Sequence, residues 1–163
     1  MTVTSISAVL ASIVFLGAMA VVIYTDLKTR QIQNKLILLL LGLYVPMVIA
    51  AGGNAEVILF GVLAAIPVLI LGFVCFTFGW MGGGDAKLMP VSVLWLGPAL
   101  GVPYLLIGAV VGSLLTLGIL AYRRRFAPTD GKSMPLDAEV PYGPALALSG
   151  AVMFLQSWWV AQI

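Results

Sequence analysis

Residues 57–78 read VILFGVLAAIPVLILGFVCFTF and contain no charged side chain. A run of this length can cross the hydrocarbon core of a bilayer, which requires about 20 mostly apolar residues. The whole chain shares this character, with 62% hydrophobic and 9% charged residues. Ordinary soluble domains are about 45–50% apolar and about 25% charged. The composition therefore predicts an all-α polytopic membrane protein and excludes a soluble enzyme, a disordered chain and a disulfide-stabilised scaffold.

Five more apolar segments accompany this one, and together they predict six transmembrane helices in a single domain covering residues 1–163. Gly108 and Gly112 form a GxxxG pattern within the fifth helix, which favours close helix packing. Trp158 and Trp159, near the end of the sixth, are predicted to lie at the membrane–water interface. The five additional segments are residues 4–24, 36–50, 87–100, 103–122 and 143–160.

The basic residues predict the orientation of these helices. All of them fall in the connections that follow the first, third and fifth helices, and the alternate connections carry none. Because positive residues favour the cytoplasmic side, both termini are predicted to face outward from the cytoplasm. The first helix lacks a preceding positive charge, so it is predicted to remain as an anchor and not to be a cleaved signal peptide. The basic residues are Lys28, Arg30, Lys35, Lys87, Arg123, Arg124, Arg125 and Lys132.

The side chains available for chemistry are few. There is no His, one Cys and a formal net charge of +2. These numbers exclude a Ser-His-Asp triad, a Cys-His dyad, a histidine metal site, a zinc knuckle and an internal disulfide. The small net charge gives no indication of nucleic-acid binding, and no metal or organic cofactor is predicted. Acid–base chemistry must use some of the six acids, which are Asp26, Glu56, Asp85, Asp130, Asp137 and Glu139.

Asp26 lies at the predicted cytoplasmic end of the first helix. The helix dipole is unfavourable for a carboxylate at a C-terminus, so capping does not explain this residue. Two interpretations remain open. Asp26 is either a surface acid paired with Lys28 or Arg30, or a functional acid, as acids beside membrane helices often are.

Asp85 follows a run of three glycines, Gly82, Gly83 and Gly84, at the predicted cytoplasmic end of the fourth helix. An aspartate after a turn is a good helix N-cap, which is one interpretation of Asp85. A cap needs only one turn residue, and each glycine costs backbone entropy on ordering. Three glycines together predict either the close approach of another chain or a loop that moves.

The two aspartates are predicted to lie at the same depth on the same side of the bundle. If the first and fourth helices are neighbours, the carboxyl groups of Asp26 and Asp85 can converge. Two adjacent carboxylates do not both ionise easily, so the pair shares a proton. The ionised member could then take a proton from water while the other donates to a peptide carbonyl. The sequence does not assign the acid and the base individually.

Three segments carry a resemblance to a known family. They are residues 26–34 (DLKTRQIQN), residues 82–88 (GGGDAKL) and residues 141–146 (PYGPAL). They resemble, in family order, the first-aspartate segment, the GGGDxKL motif and the late PYGPAL segment of the type IV prepilin peptidases, which are membrane aspartyl proteases of the GxGD class. One departure is Gln33, where the family usually has proline.

The resemblance implies that Asp26 and Asp85 are the catalytic pair and that Gly82, Gly83, Gly84 and Lys87 lie where the substrate approaches. The implied substrate is a prepilin or pseudopilin, whose basic leader is removed at the cytoplasmic face of a bacterial inner membrane. Pilus assembly machinery and membrane lipid are the other implied partners. The chain is similar to short members of the family, which lack the N-terminal cysteine-containing segment, so methyltransferase activity is not expected.

Three alternatives to a prepilin peptidase are weighed against it. A small proton-coupled transporter would use Asp26 and Asp85 to bind the ion, but it predicts acids nearer the bilayer midplane. A non-catalytic scaffold of a pilus assembly system would keep the fold without cleavage. A Ser-Lys protease would need Ser92 and Lys87 to face each other, and their five-residue separation is poor for this on a helix.

Overall fold

A computed structural model describes residues 3–125 and 142–163 of the chain. Within these residues the regular structure is helical and contains no strand, so the all-α prediction is confirmed there. The acidic residues Asp130, Asp137 and Glu139, together with Lys132 and Pro141, lie outside the described residues. The helices are α1 (Val3–Thr29), α2 (Asn34–Ala50), α3 (Ala55–Thr77), α4 (Gly83–Leu96), α5 (Pro98–Arg125) and α6 (Gly143–Phe154), followed by a 3-10 turn at Val160–Gln162.

Three of the six helices are long and apolar enough to cross a membrane. They are α1, α3 and the Pro98–Tyr122 part of α5. Helices α2 and α6 are apolar but shorter. Helix α4 has 14 residues, which at 1.5 Å per residue gives about 21 Å, less than the roughly 30 Å hydrocarbon core. Within residues 3–125 and 142–163 the structure therefore contains six α-helices, of which three meet the length expected of a span.

Helix α4 is the central element of the bundle. It contacts α2, α3, α5 and α6, and each residue from Leu88 to Leu96 is buried. It begins four residues before the predicted segment 87–100 and ends four residues earlier. The early end has a local cause, because Gly97 has φ 78° and ψ 174°, a conformation suited to glycine, and so turns the chain into α5.

Tryptophan side chains join α4 to its neighbours. The ring of Trp95 packs against Trp159, with 5.3 Å between centroids, and its Nε1 donates to the Leu40 carbonyl at 3.1 Å. Trp159 is 2% exposed, and its Nε1 donates to the Trp95 carbonyl at 2.8 Å. Trp159 is therefore buried within the bundle, and its position at the membrane–water interface stays a prediction. Helix α6 ends at Phe154, well before residue 160, and the following turns bring Trp159 back into the core.

Glycines set the distances between neighbouring helices. A β-carbon on Gly72 of α3 would lie 2.9 Å from the Ala86 carbonyl oxygen of α4. The predicted packing role of the GxxxG pattern is confirmed on the face of α5 that meets α6. A β-carbon on Gly108 would lie 3.1 Å from Leu146. These close approaches fix α3 against α4, and α5 against α6, around the ends that carry the candidate site.

Candidate active site

Asp26 lies in the last turn of α1, which continues to Thr29 and not only to residue 24. Thr25 and Thr29 donate to carbonyls one turn earlier, at 2.9 and 2.8 Å, so their hydroxyl groups remain within the helix. The helix ends at Thr29, and the next residue, Arg30, has φ 53° and an N–H that donates to the Asp26 carbonyl at 2.9 Å. This extra turn carries Asp26 into the bundle.

The Asp26 side chain is buried, with 7% of its surface exposed. Lys28 is directed elsewhere, since its Nζ donates to the Tyr24 hydroxyl at 3.2 Å. Arg30 is near enough to attract the carboxylate electrostatically, but it does not bring Asp26 to the surface. The interpretation of Asp26 as a paired surface acid is therefore wrong.

Asp85 is the third residue of α4 and is half-buried. Gly82 occupies the N-cap position, with φ −66° and ψ 144°, and its carbonyl accepts the Ala86 N–H at 3.1 Å. The interpretation of Asp85 as the N-cap is therefore wrong, because the helix already begins at Gly83. The Asp85 side chain is left available for other contacts.

The glycines before Asp85 allow close packing within this chain. A β-carbon on Gly84 would lie 3.1 Å from the Ile32 β-carbon, and one on Gly83 would lie 3.1 Å from the Phe76 ring. Ile32 belongs to the connection that follows Asp26. Glycine at position 84 therefore lets the two aspartate-bearing segments meet, and the approach of a substrate to this loop stays a prediction.

All six residues predicted for the site line one cavity of about 690 Å³. Across its mouth, Lys87 Nζ donates to Asn34 Oδ1 at 3.1 Å, which joins the start of α4 to the start of α2. The structure thus brings Asp26, Asp85 and the glycines together. The lining also contains Arg30, Gln31, Ile32, Asn34, Phe76, Gly79, Trp80, Met81 and Tyr142.

The electrostatics of the cavity favour a shared proton. Burial, reinforced by the negative charge of nearby Asp26, raises the pKa of Asp85 to about 7. Near neutral pH the pair can therefore hold one proton and one negative charge. A water molecule between two such carboxyl groups would meet both a base and an acid.

Two cavity neighbours were not singled out from the sequence, although both lie in the third motif. Tyr142 lines the cavity, and Gly143 begins α6 beside Asp26. The available signal was Pro144, since proline is favoured in the first turn of a helix and so marks where α6 starts. That signal places the helix but does not indicate what its first residue touches.

We expect the stability of the protein to depend on the proton of Asp85. The folded protein holds this proton to a pKa of about 7, whereas the ordinary pKa of an aspartate side chain is 3.8. Since the native state binds more protons between these values, stability should fall as pH rises from about 4 to about 7 and then level off. Asp85→Asn keeps the group neutral and should reduce this fall.

Thermal unfolding of both proteins in detergent at pH 4, 6 and 8 measures this effect. The variant should gain most over the wild type at pH 8. A wild-type stability that does not change across this range, or falls equally in the variant, would contradict a raised pKa at Asp85.

The match to known families agrees with this site. No curated protein and no solved structure matches the chain. A family model described as the type IV leader peptidase family matches residues 13–117, a region that includes both Asp26 and Asp85. The match covers more than half of the sequence and confirms the family resemblance, although the third motif, residues 141–146, lies outside the matched region. The chain therefore belongs to the type IV leader peptidase family.

Proposed function

We propose that the protein is a membrane aspartic endopeptidase that removes the basic leader of a type IV prepilin or pseudopilin. The observation that carries the proposal is the position of Asp26 and Asp85, which come from two helices far apart in sequence and line one cavity. Family membership supports peptidase activity. The cavity supplies the two carboxyl groups that an aspartic mechanism needs.

In the proposed reaction, the ionised carboxylate takes a proton from water as the water oxygen attacks the scissile carbonyl carbon. The protonated carboxyl group donates to the carbonyl oxygen, and the resulting tetrahedral intermediate then loses the amine as the C–N bond breaks. A proton passes to the leaving amine. The products are a leader with a new carboxyl terminus and a pilin with a new amino terminus.

The proposed orientation places this cavity at the cytoplasmic face of a bacterial inner membrane, with six membrane-spanning helices and both termini outside. Support comes from Arg30 and Lys87, which line the cavity, because basic residues favour the cytoplasmic side. Gly83 and Gly84 line the cavity together with Asp85, which supports the proposal that an extended substrate segment binds along this part of the cavity. Pilus assembly machinery is the proposed recipient of the product.

The test is incubation of the purified, detergent-solubilised protein with a prepilin that has a basic leader and a following hydrophobic helix. We expect cleavage at one bond, with masses of leader and mature chain that sum to the substrate plus one water. Cleavage should persist with EDTA and with thiol-modifying reagents. Added hydroxylamine should not become attached to the leader, because no acyl-enzyme forms.

The other possible results of this cleavage experiment would each support a different function. Hydroxylamine capture would contradict direct attack by water and would favour a serine nucleophile. Absence of cleavage, together with proton flux in liposomes, would favour a transporter. Absence of cleavage with retained pilus assembly in cells would favour a scaffold.

A further inference from the structure

The first residue of α6, Gly143, is packed against the carboxyl group of Asp26. A β-carbon on Gly143 would lie 2.7 Å from Oδ2, 2.8 Å from Cγ and 3.1 Å from the β-carbon of Asp26. Real β-carbons do not approach other atoms as closely as the first two distances. Position 143 can therefore carry no side chain while Asp26 keeps this orientation.

The contact is polar as well as steric. The backbone N–H of Gly143 interacts favourably with the ionised Asp26 carboxylate. The N-cap residue of α6, Tyr142, makes no capping hydrogen bond with its own side chain. The Asp26 carboxylate, on α1, thus lies beside an N–H that has no partner within its own helix. Among the described residues, Oδ2 of Asp26 has no hydrogen-bond partner.

The start of α6 is itself held by α5. A β-carbon on Gly112 would lie 2.7 Å from the Tyr142 ring, which shows that the ring rests directly on the α5 backbone. The Thr116 hydroxyl contacts the Tyr142 hydroxyl at 3.3 Å. Tyr142 therefore anchors the residue before Gly143, and α6 presents its first N–H from a fixed position.

We propose that Gly143 is a positioning residue, whose N–H and missing side chain hold the Asp26 carboxylate in the orientation that faces the cavity. The catalytic part of this proposal rests on the proposed function, whereas the contact itself can be tested without it. Gly143 does not touch the reacting atoms. It acts through Asp26, and the anchored start of α6 fixes where it acts.

The first test is Gly143→Ala in the full chain. The added methyl group must displace the carboxylate, and a displacement of about 1 Å can lower a catalytic rate by about 10²-fold. We expect kcat for prepilin cleavage to fall to about this extent while KM changes little, because the rest of the cavity is unaltered. The matched control is Gly118→Ala in α5, where an added β-carbon would have no neighbour within 4 Å. Unchanged kcat in Gly143→Ala would overturn the proposal.

The second test is a double-mutant cycle on thermal stability, which requires no substrate. In the otherwise wild-type protein, Gly143→Ala should lower the unfolding temperature despite alanine's better helix propensity. In an Asp26→Ala background the two closest atoms, Oδ2 and Cγ of Asp26, are absent. Gly143→Ala should then lower the unfolding temperature much less, or raise it. If Gly143→Ala does not accumulate alone, recovery in the Asp26→Ala background gives the same result.

The two tests separate the proposals. Suppose that the wild-type protein cleaves no prepilin but that positions 26 and 143 show strong coupling in stability. This result would contradict the proposed function and would still support the contact between Gly143 and Asp26. Equal stability losses in both backgrounds, or failure to accumulate in both, would overturn the role of Gly143. Active wild type with coupling but unchanged kcat would overturn its positioning role alone.

Discussion

Asp26→Asn and Asp85→Asn are each expected to lower kcat/KM for leader cleavage by about 10²–10⁴-fold, the usual contribution of positioned acid–base groups. Both residues line the same cavity, and the charge of Asp26 acts on Asp85. Asparagine keeps the size of the side chain but can neither accept nor supply the proton. Either change removes half of the pair, so the double variant should be about as inactive as each single one.

The control for these variants is Glu56→Gln, which makes the same carboxyl-to-amide change elsewhere. Glu56 is exposed in the first turn of α3, whereas Phe76, near the opposite end of α3, lines the cavity. Cleavage should be unchanged in this control. Cleavage is measured with purified proteins at equal concentration by mass spectrometry. Full cleavage by Asp26→Asn or Asp85→Asn would refute the dyad.

The sequence was sufficient to select Asp26 and Asp85 as candidate functional residues. Acidic side chains beside membrane helices are energetically costly, so their presence usually indicates a function. It could not tell whether each was buried or exposed. For Asp26 the answer depends on one extra turn of α1, in which the hydroxyl groups of Thr25 and Thr29 donate to carbonyls one turn earlier. Local propensity does not determine such a turn, because threonine is only a modest helix former.

Tertiary contacts account for what the sequence did not reveal. Glycine at position 84 was predicted to permit a close approach, but the approaching residue, Ile32, is 52 positions away in the chain. Trp159 is a residue type that is common at membrane interfaces. Its Nε1 donates to the Trp95 carbonyl in the core of the bundle. In both cases the residue type was informative, whereas its partner depended on how the helices pack.

Gly72→Leu is expected to separate α3 from α4 and to reduce both stability and cleavage. A β-carbon at position 72 would lie 2.9 Å from the Ala86 carbonyl oxygen and 3.3 Å from its α-carbon. These are backbone atoms, which cannot rotate away as a side chain can. Overpacking of this kind typically costs about 1–3 kcal/mol of unfolding free energy. The displacement would also reach Asp85, which precedes Ala86.

The matched control is Gly42→Leu in α2, where an added β-carbon has no neighbour within 4 Å. Both changes replace glycine with leucine inside a helix, so both gain the same helix propensity, and their difference isolates the contact with α4. Thermal unfolding in detergent, followed by tryptophan fluorescence, and prepilin cleavage measure the two effects. If Gly72→Leu were as stable and as active as Gly42→Leu, α3 could not be the element that fixes α4, and the position of Asp85 would have to depend on α2, α5 and α6.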